Sequence, residues 1–274
     1  MSAPLRLGLL QYGVGQPASV ADFARALEGR LEQGRAQAEL LVLPEYACVE
    51  LGAALAGGNA ADEASELAAM VAAGPEILAA MREAARRLGV WLLPGTLPLR
   101  RDDGRIVNRA PLIAPDGRMA VQEKRAMTRF EAERWGITQG TDPNVFDTPW
   151  GRIGISVCYD VEFPENVRRL ALAGADLIVV PTALPKGSSG TFIASHMIQV
   201  RAFENQVFVA YINHCGADDR FAYAGLSRIA APDGKLLAEA PAEGETLLFA
   251  EVRPGDYATS RAENTYLVDL GRPA

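Results

Sequence analysis

The chain has 274 residues, a net charge of −7, 49% apolar residues and 22% charged residues. That length allows one large domain or two small ones with a sizeable core, and the composition is globular, with no bias toward disorder. The acidic balance, with no basic stripe beyond Arg100-Arg101 and Arg168-Arg169, argues against a general nucleic-acid binder.

Residues 5–12 read as a buried strand, and residues 20–33 carry Phe23, Leu27 and Leu31 at helical spacing before a stop at Gly34. Residues 38–45 form an apolar strand stopping at Pro44; residues 51–59, rich in Gly and Ala, predict a loop. Residues 61–88 predict one or two helices interrupted near Gly74-Pro75, and residues 91–97 a further strand. A hairpin is expected from 108–114 and 119–124 around Pro115-Asp116-Gly117, followed by a polar loop over 125–142. Ile153, Ile155 and Val157 alternate as one apolar strand face, with Gly154 and Ser156 on a closely packed opposite face. Pro164 then opens a helix that ends near Gly174. Strand 175–181, helix 195–205, strand 207–213, a hairpin of 223–231 and 235–240 about Pro232-Asp233-Gly234, and strand 247–252 complete the series; residues 253–274 are a tail.

Two parts of this series match. Residues 6–12 align with 152–158 and residues 38–45 with 175–182, each part reading strand, helix, strand. The expected architecture is a single α/β domain over residues 1–274, a four-layer α-β-β-α sandwich of two packed mixed sheets with outer helices. Cys158 and Glu45 then both sit at carboxyl ends of strands, where open α/β sheets place ligands.

Cys158 is released from an apolar run just before a helix start, a setting that would favour its thiolate. A lone cysteine in such a run also reads as a small buried hydrophobe. Glu45, at the end of an apolar strand, can accept a thiol proton in a dry pocket or cap a loop at the sheet rim. Lys124 ends a strand in the same way; it is either an exposed lysine or a fixed ammonium that stabilises an oxyanion. His196 and His214 keep a Cys–His pairing open as a minor alternative. Cys48 and Cys215 read as structural. Three cysteines make no disulfide framework, and two histidines without a Cys-x-x-Cys pair give no zinc site, so no metal or other cofactor is expected. No apolar run approaches the roughly eighteen residues of a membrane span, and residues 1–7 lack a secretion signal, so a cytoplasmic location is expected, with no membrane partner.

The chain resembles the nitrilase superfamily of carbon–nitrogen hydrolases through Leu-Val-Leu-Pro-Glu45, Gln-Glu-Lys124 and Ser-Val-Cys158-Tyr-Asp-Val-Glu-Phe-Pro-Glu165, in order and at the right spacing. Supporting matches run over almost the whole chain, among them Gly174-Ala-Asp-Leu-Ile-Val-Val-Pro-Thr182 and Arg201-Ala-Phe-Glu-Asn-Gln-Val-Phe-Val-Ala-Tyr-Ile-Asn213. The resemblance implies a Glu-Lys-Cys triad: Glu45 as general base, Lys124 on the oxyanion and Cys158 as the acylated nucleophile. It implies a second glutamate in the loop after the lysine, for which Glu131 is chosen and Glu133 is the fallback, and the Tyr159 N–H as a second oxyanion donor. Tyr46, Glu133, Glu162 and Thr182 are candidates for the substrate pocket. Many similar chains have a basic or aromatic residue where this one has Glu162, which changes the charge at the pocket mouth or merely caps a helix. The implied activity is hydrolysis of a small amide through a cysteine thioester. A nitrilase, an N-carbamoyl amine or amino-acid hydrolase, and a catalytically silent ligand-binding homologue are the alternatives. A homodimer or larger homo-oligomer built on helices and the 253–274 tail is also implied.

Overall fold

The computed structural model describes residues 3–58, 62–218 and 220–271. In the first half of the chain β1 (Leu5–Gln11) leads through α1 (Val20–Gly34) to β2 (Leu40–Val42), and α2 (Gly52–Leu55) and α3 (Glu63–Leu88) lead to β3 (Trp91–Leu93). These three strands run parallel, with Leu9 opposite Val42 and Val42 opposite Leu93. β4 (Leu97–Arg100), β5 (Ile106–Ile113) and β6 (Met119–Glu123) extend the sheet in antiparallel fashion.

The second half repeats the plan. β7 (Val145–Thr148) flanks β8 (Gly151–Ile155), and α4 (Pro164–Leu172) leads to β9 (Leu177–Thr182). A helical run comprising α5 (Ser188–Phe192) and α6 (Ile198–Asn205) leads to β10 (Phe208–Asn213). β8, β9 and β10 are parallel, and β11 (Arg228–Ala230) and β12 (Leu236–Glu239) follow antiparallel. The chain then returns: β13 (Thr246–Val252) pairs with β1 on the first sheet, and α7 (Ala258–Glu263) and α8 (Tyr266–Leu270) end the described residues.

The alternation of side chains along each strand makes the four layers. Leu7, Leu9, Leu40 and Val42 of one sheet meet Ile153, Ile155, Leu177, Val179 and Phe208 of the other in a shared apolar layer. Leu41 faces outward onto Phe23, Leu27 and Leu31 of α1, just as Ile178 and Val180 face outward onto Val167, Leu170 and Ile198. Gly8 and Gly154 occupy equivalent places in the two halves and are closely covered. A Cβ on Gly8 would lie 2.7 Å from Leu41, and one on Gly154 would lie 3.1 Å from Leu170.

Several boundaries differ from expectation for identifiable reasons. Residues 51–58 are largely helical, because small residues let α2 approach α3 closely; a Cβ on Gly52 would meet Glu66 at 3.2 Å. Asn59 and Ala61, bounds of two expected elements, lie outside the described residues. α3 runs unbroken through Pro75, since its buried stripe of Leu67, Met70, Ile77, Met81 and Ala84 continues on both sides of the missing hydrogen bond. That helix is also long and apolar enough to cross a membrane, contrary to the sequence reading, but its apolar stripe packs in the protein core against α1 and the first sheet. The strand expected over 91–97 breaks at Pro94-Gly95 into β3 and β4, and β7 was not foreseen. The loop 125–142 contains a wide helical turn, Phe130–Arg134; the helix expected from Ser195 begins at Ser188. Of residues 223–231 only β11 is strand, with Leu226 in the left-handed region. The tail is helical where described, and the Arg261 guanidinium is bonded to the Gln206 carbonyl at 3.2 Å.

Candidate active site

Glu45 is delivered just past β2. Leu43 N–H still donates to Leu93 O at 2.9 Å, after which the chain turns over Gly95. A Cβ on Gly95 would lie 1.7 Å from Pro44 O, so only glycine, here at φ +72°, allows the approach. Tyr46 follows at φ 52° and donates its N–H to Thr96 Oγ1 at 3.0 Å. Cys158, at φ 48°, opens a single 3-10 turn, Cys158–Glu162. Two non-glycine residues in this sparsely populated region, at the two strand ends where the sheets meet, cost on the order of 1 kcal/mol or more each, held by the packing around them.

The Lys124 Nζ lies 2.8 Å from Glu45 Oε1 and 2.7 Å from Glu131 Oε2, and all three side chains are almost fully buried. Asn108 donates to Glu45 Oε1 at 2.9 Å, and Ala183 N–H donates to Glu45 Oε2 at 3.1 Å. Glu131 accepts from the Tyr46 hydroxyl at 2.7 Å and from the Thr128 N–H and hydroxyl at 3.0 and 2.8 Å. Cys158 and Glu45 line the same cavity and are close enough for the charge of one to act on the other.

Burial pushes the Glu45 carboxyl up; Lys124 pulls it down, Glu131 pushes it up again, and the balance lies above the usual carboxylate range. For Glu131 the effect of burial is outweighed by the Lys124 charge and by donors from Lys124, Tyr46 and Thr128, which hold it below that range. Burial alone would depress Lys124, but the charges of Glu45 and Glu131 outweigh it and keep the ammonium protonated. The Cys158 thiol is pushed well up by burial and then by the Glu45 charge. This corrects the expectation of a thiolate favoured by a helix start: desolvation and adjacent carboxylates outweigh one short turn. The resting sulfur is a neutral thiol beside a base.

Sequence reasoning missed Asp160 and Asn108. Asp160, buried just after the nucleophile, accepts from Arg125 N–H at 3.1 Å, Ala126 N–H at 2.6 Å and Val157 N–H at 3.2 Å. It therefore ties the chain after Lys124 to the turn that carries Cys158. Burial pushes its carboxyl up to about 6, against the pull of the N–H donors that it accepts from. An acidic residue two positions after the cysteine, between Tyr159 and Val161, was the available signal. Asn108 sits in β5 without any local polar pattern.

The other candidates separate. Tyr46, Tyr159 and Glu162 line a cavity of about 840 Å³ whose floor holds Glu45, Lys124, Glu131 and Cys158. Tyr159, early in its turn, carries an N–H with no partner within the helix. Glu133 and Thr182 do not line the cavity. Glu133 extends into solvent as the partner of Arg129 at 3.0 Å; Thr182 bonds back to Val180 O at 3.2 Å, and its carbonyl accepts from Glu45 N–H at 3.3 Å. Neither histidine pairs with the thiol. His214 Nε2 lies 3.0 Å from the backbone oxygen of Glu45, burial lowers its pKa to about 4, and His196 stacks on Phe192. Cys48 is buried, with its thiol pushed up to about 12. Among the described residues no group of three or more His, Cys, Asp or Glu could hold a metal ion. Aromatic rings of Tyr46, Phe130, Trp135, Phe221 and Tyr223 wall the cavity. Residues 14–18, Ala53, Ala54, Leu184 and Pro185 add to the lining.

The carbon-nitrogen hydrolase family model matches residues 7–262. The chain belongs to that family. It is 40% identical over 238 residues to a hydrolase encoded in the pqqF 5' region of Pseudomonas protegens, covering 85% of this chain and 78% of that one. It is 31% identical over 183 residues to omega-amidase NIT2-A of Xenopus laevis, a match that covers 63% of this chain and 64% of the frog protein. In structure it is similar to an amidase of Nesterenkonia sp. AN1 solved as a double mutant with acrylamide. The TM-score is 0.77 at 27% identity, over 95% of both chains. A further mutant of that amidase carries the acetamide moiety of fluoroacetamide on its active-site cysteine, with a TM-score of 0.74 at 27% identity over 96% of this chain and 95% of that one. The fold is thus that of nitrilase-superfamily amidases, and the protein is an amide-acting carbon–nitrogen hydrolase.

Proposed function

We propose that the protein hydrolyses a small linear amide to ammonia and a carboxylic acid through a thioester on Cys158. The observation that carries this reading is that one cavity brings together the Cys158 thiol, the Glu45 carboxylate and the buried Lys124 ammonium, 2.8 Å from Glu45. As sulfur attacks the amide carbon, Glu45 takes the thiol proton, and the displaced carbonyl electrons collect on oxygen. Lys124 and the Tyr159 N–H stabilise that oxyanion. Collapse breaks the C–N bond, and the leaving nitrogen takes the proton from Glu45 and departs as ammonia. Glu45 then deprotonates water as it attacks the thioester, and the second collapse returns sulfur as a thiol and releases the acid. Glu131 keeps Lys124 pointed at the reacting oxygen.

Ammonia release across short, branched and aromatic amides, nitriles and carbamoyl compounds, with intact-protein mass spectrometry, tests the reading. The expected result is turnover of amides and an acyl adduct on Cys158, both abolished in Cys158→Ala. Turnover surviving in Cys158→Ala would overturn the mechanism.

The same reading extends to a cytoplasmic homodimer. The three cysteines are free and buried, which suits a reducing compartment. Leu172, Val200, Phe203, Val268 and Leu270 are exposed on α4, α6 and α8, a set suited to a second copy of the chain. Light scattering on the purified protein tests this.

A further inference from the structure

Most charges around the cavity have partners. Glu50 is held by Arg30 at 3.0 Å, Glu66 by Arg220 at 2.7 Å, and Asp218 accepts the Arg220 and Phe221 N–H groups and the Tyr223 hydroxyl. Glu45 and Glu131 share Lys124. Glu162 differs. It lines the cavity half-buried, and among the described residues its carboxylate has no ion-pair partner. Its backbone is fixed, since the Arg201 guanidinium donates to the carbonyls of Val161 and Glu162 at 2.9 Å each while also binding Glu204. Burial pushes the Glu162 carboxyl up, and the charges of Lys124 and Arg201 pull against that without outweighing it.

We propose that Glu162 selects amides that carry a cationic amine on the acyl side, at a short distance from the scissile carbonyl. The proposal rests on the amidase reading of the same site. Glu162 stands four residues after Cys158 on the 3-10 turn, about 8 Å along its axis at ~2.0 Å per residue. Both residues line the same cavity, so an acyl chain bonded to the sulfur extends into the space that this carboxylate borders. Among the described residues lining the cavity the cations are Lys124, shared by Glu45 and Glu131, and Arg220, matched by Glu66, so an anionic substrate meets an excess of carboxylates. Unlike a rim charge in open water, a half-buried acid is only partly screened, and it discriminates by attraction and by repulsion.

Three probes share the group –(CH2)3–CONH2 and differ only at the far end: 4-aminobutanamide, pentanamide and glutaramate. Wild-type kcat/KM is expected to fall in that order, with about tenfold between the cation and the neutral amide, as a pair worth ~1.4 kcal/mol gives. Glu162→Gln should bring the cation-to-neutral ratio toward one, and Glu162→Arg should reverse the order of cation and anion. Binding of the same probes to Cys158→Ala, measured by calorimetry, reads charge preference without chemistry. Preference for glutaramate in the wild type, or a cation-to-neutral ratio unchanged in Glu162→Gln, overturns the proposal. Absence of ammonia from every probe while Cys158→Ala still prefers the cation overturns the amidase reading and leaves the charge selection standing.

Discussion

The two halves of the molecule share a plan and differ at four strand ends. In the first half β1 ends near Tyr12 and β2 ends near Glu45; the matching positions in the second half are Cys158 and Thr182. Chemistry has been divided between them crosswise. Glu45, from the first half, faces Cys158, from the second, while Tyr12 and Thr182 serve the frame through their backbones: Tyr12 O accepts from Cys215 N–H at 3.1 Å and Thr182 O from Glu45 N–H at 3.3 Å. A duplicated unit thus makes one site rather than two, because face-to-face packing brings the ends of both parallel sets together at one edge. Lys124 and Glu131 have no counterparts in the repeat; they come from the segment that links the halves.

The sharpest way to break this division is Glu45→Gln, which keeps the shape and removes the base. A loss of about 10²- to 10⁴-fold in kcat is expected, with no acyl adduct accumulating, read by ammonia release and mass spectrometry. Asp160→Asn tests the tie between the linking segment and the second half. One or more of the backbone N–H groups it binds would lose an acceptor, at a cost of roughly 1–3 kcal/mol, so Tm and kcat should fall together. An unchanged kcat would show that the Lys124 chain is positioned without it. The pH profile addresses Glu45 in its buried setting. Its carboxyl is held above the usual range and must be ionised to act, so kcat/KM should fall with decreasing pH already above the ordinary glutamate value of about 4.3. Lys124, held above its ordinary range, should contribute no alkaline loss. The smallest effects compare the halves directly. Gly8→Ala and Gly154→Ala should each destabilise by about 1–3 kcal/mol through overpacking, Gly8 more because its neighbours lie at 2.7 and 2.9 Å against 3.1 Å for Gly154. Denaturant unfolding measures both.

Much of this was legible in the chain. Period-two apolar runs around Leu7, Leu40, Ile153 and Leu177 specified strands, and the repeat of strand, helix and strand specified two parallel sets with helices outside. The motif residues Glu45, Lys124, Glu131 and Cys158 converge as expected. Local pattern failed where the deciding contacts are long-range: α2 is helical because it packs on α3, and α3 passes Pro75 because its buried stripe continues. It failed again for Asn108, Glu133 and Thr182, whose roles depend on which way a side chain points once the sheets have packed.

The sequence alone determined most of the strands and outer helices, the pairing of the halves and the residue types of the site, since these follow from periodicity and from groups placed at strand ends. Tertiary structure alone decided the protonation of the thiol, the bracing by Asp160 and the place of the Glu162 carboxylate on the cavity wall without an ion-pair partner among the described residues. Those properties depend on burial and on distances of a few ångströms between residues far apart in the chain, and neither is encoded in local order.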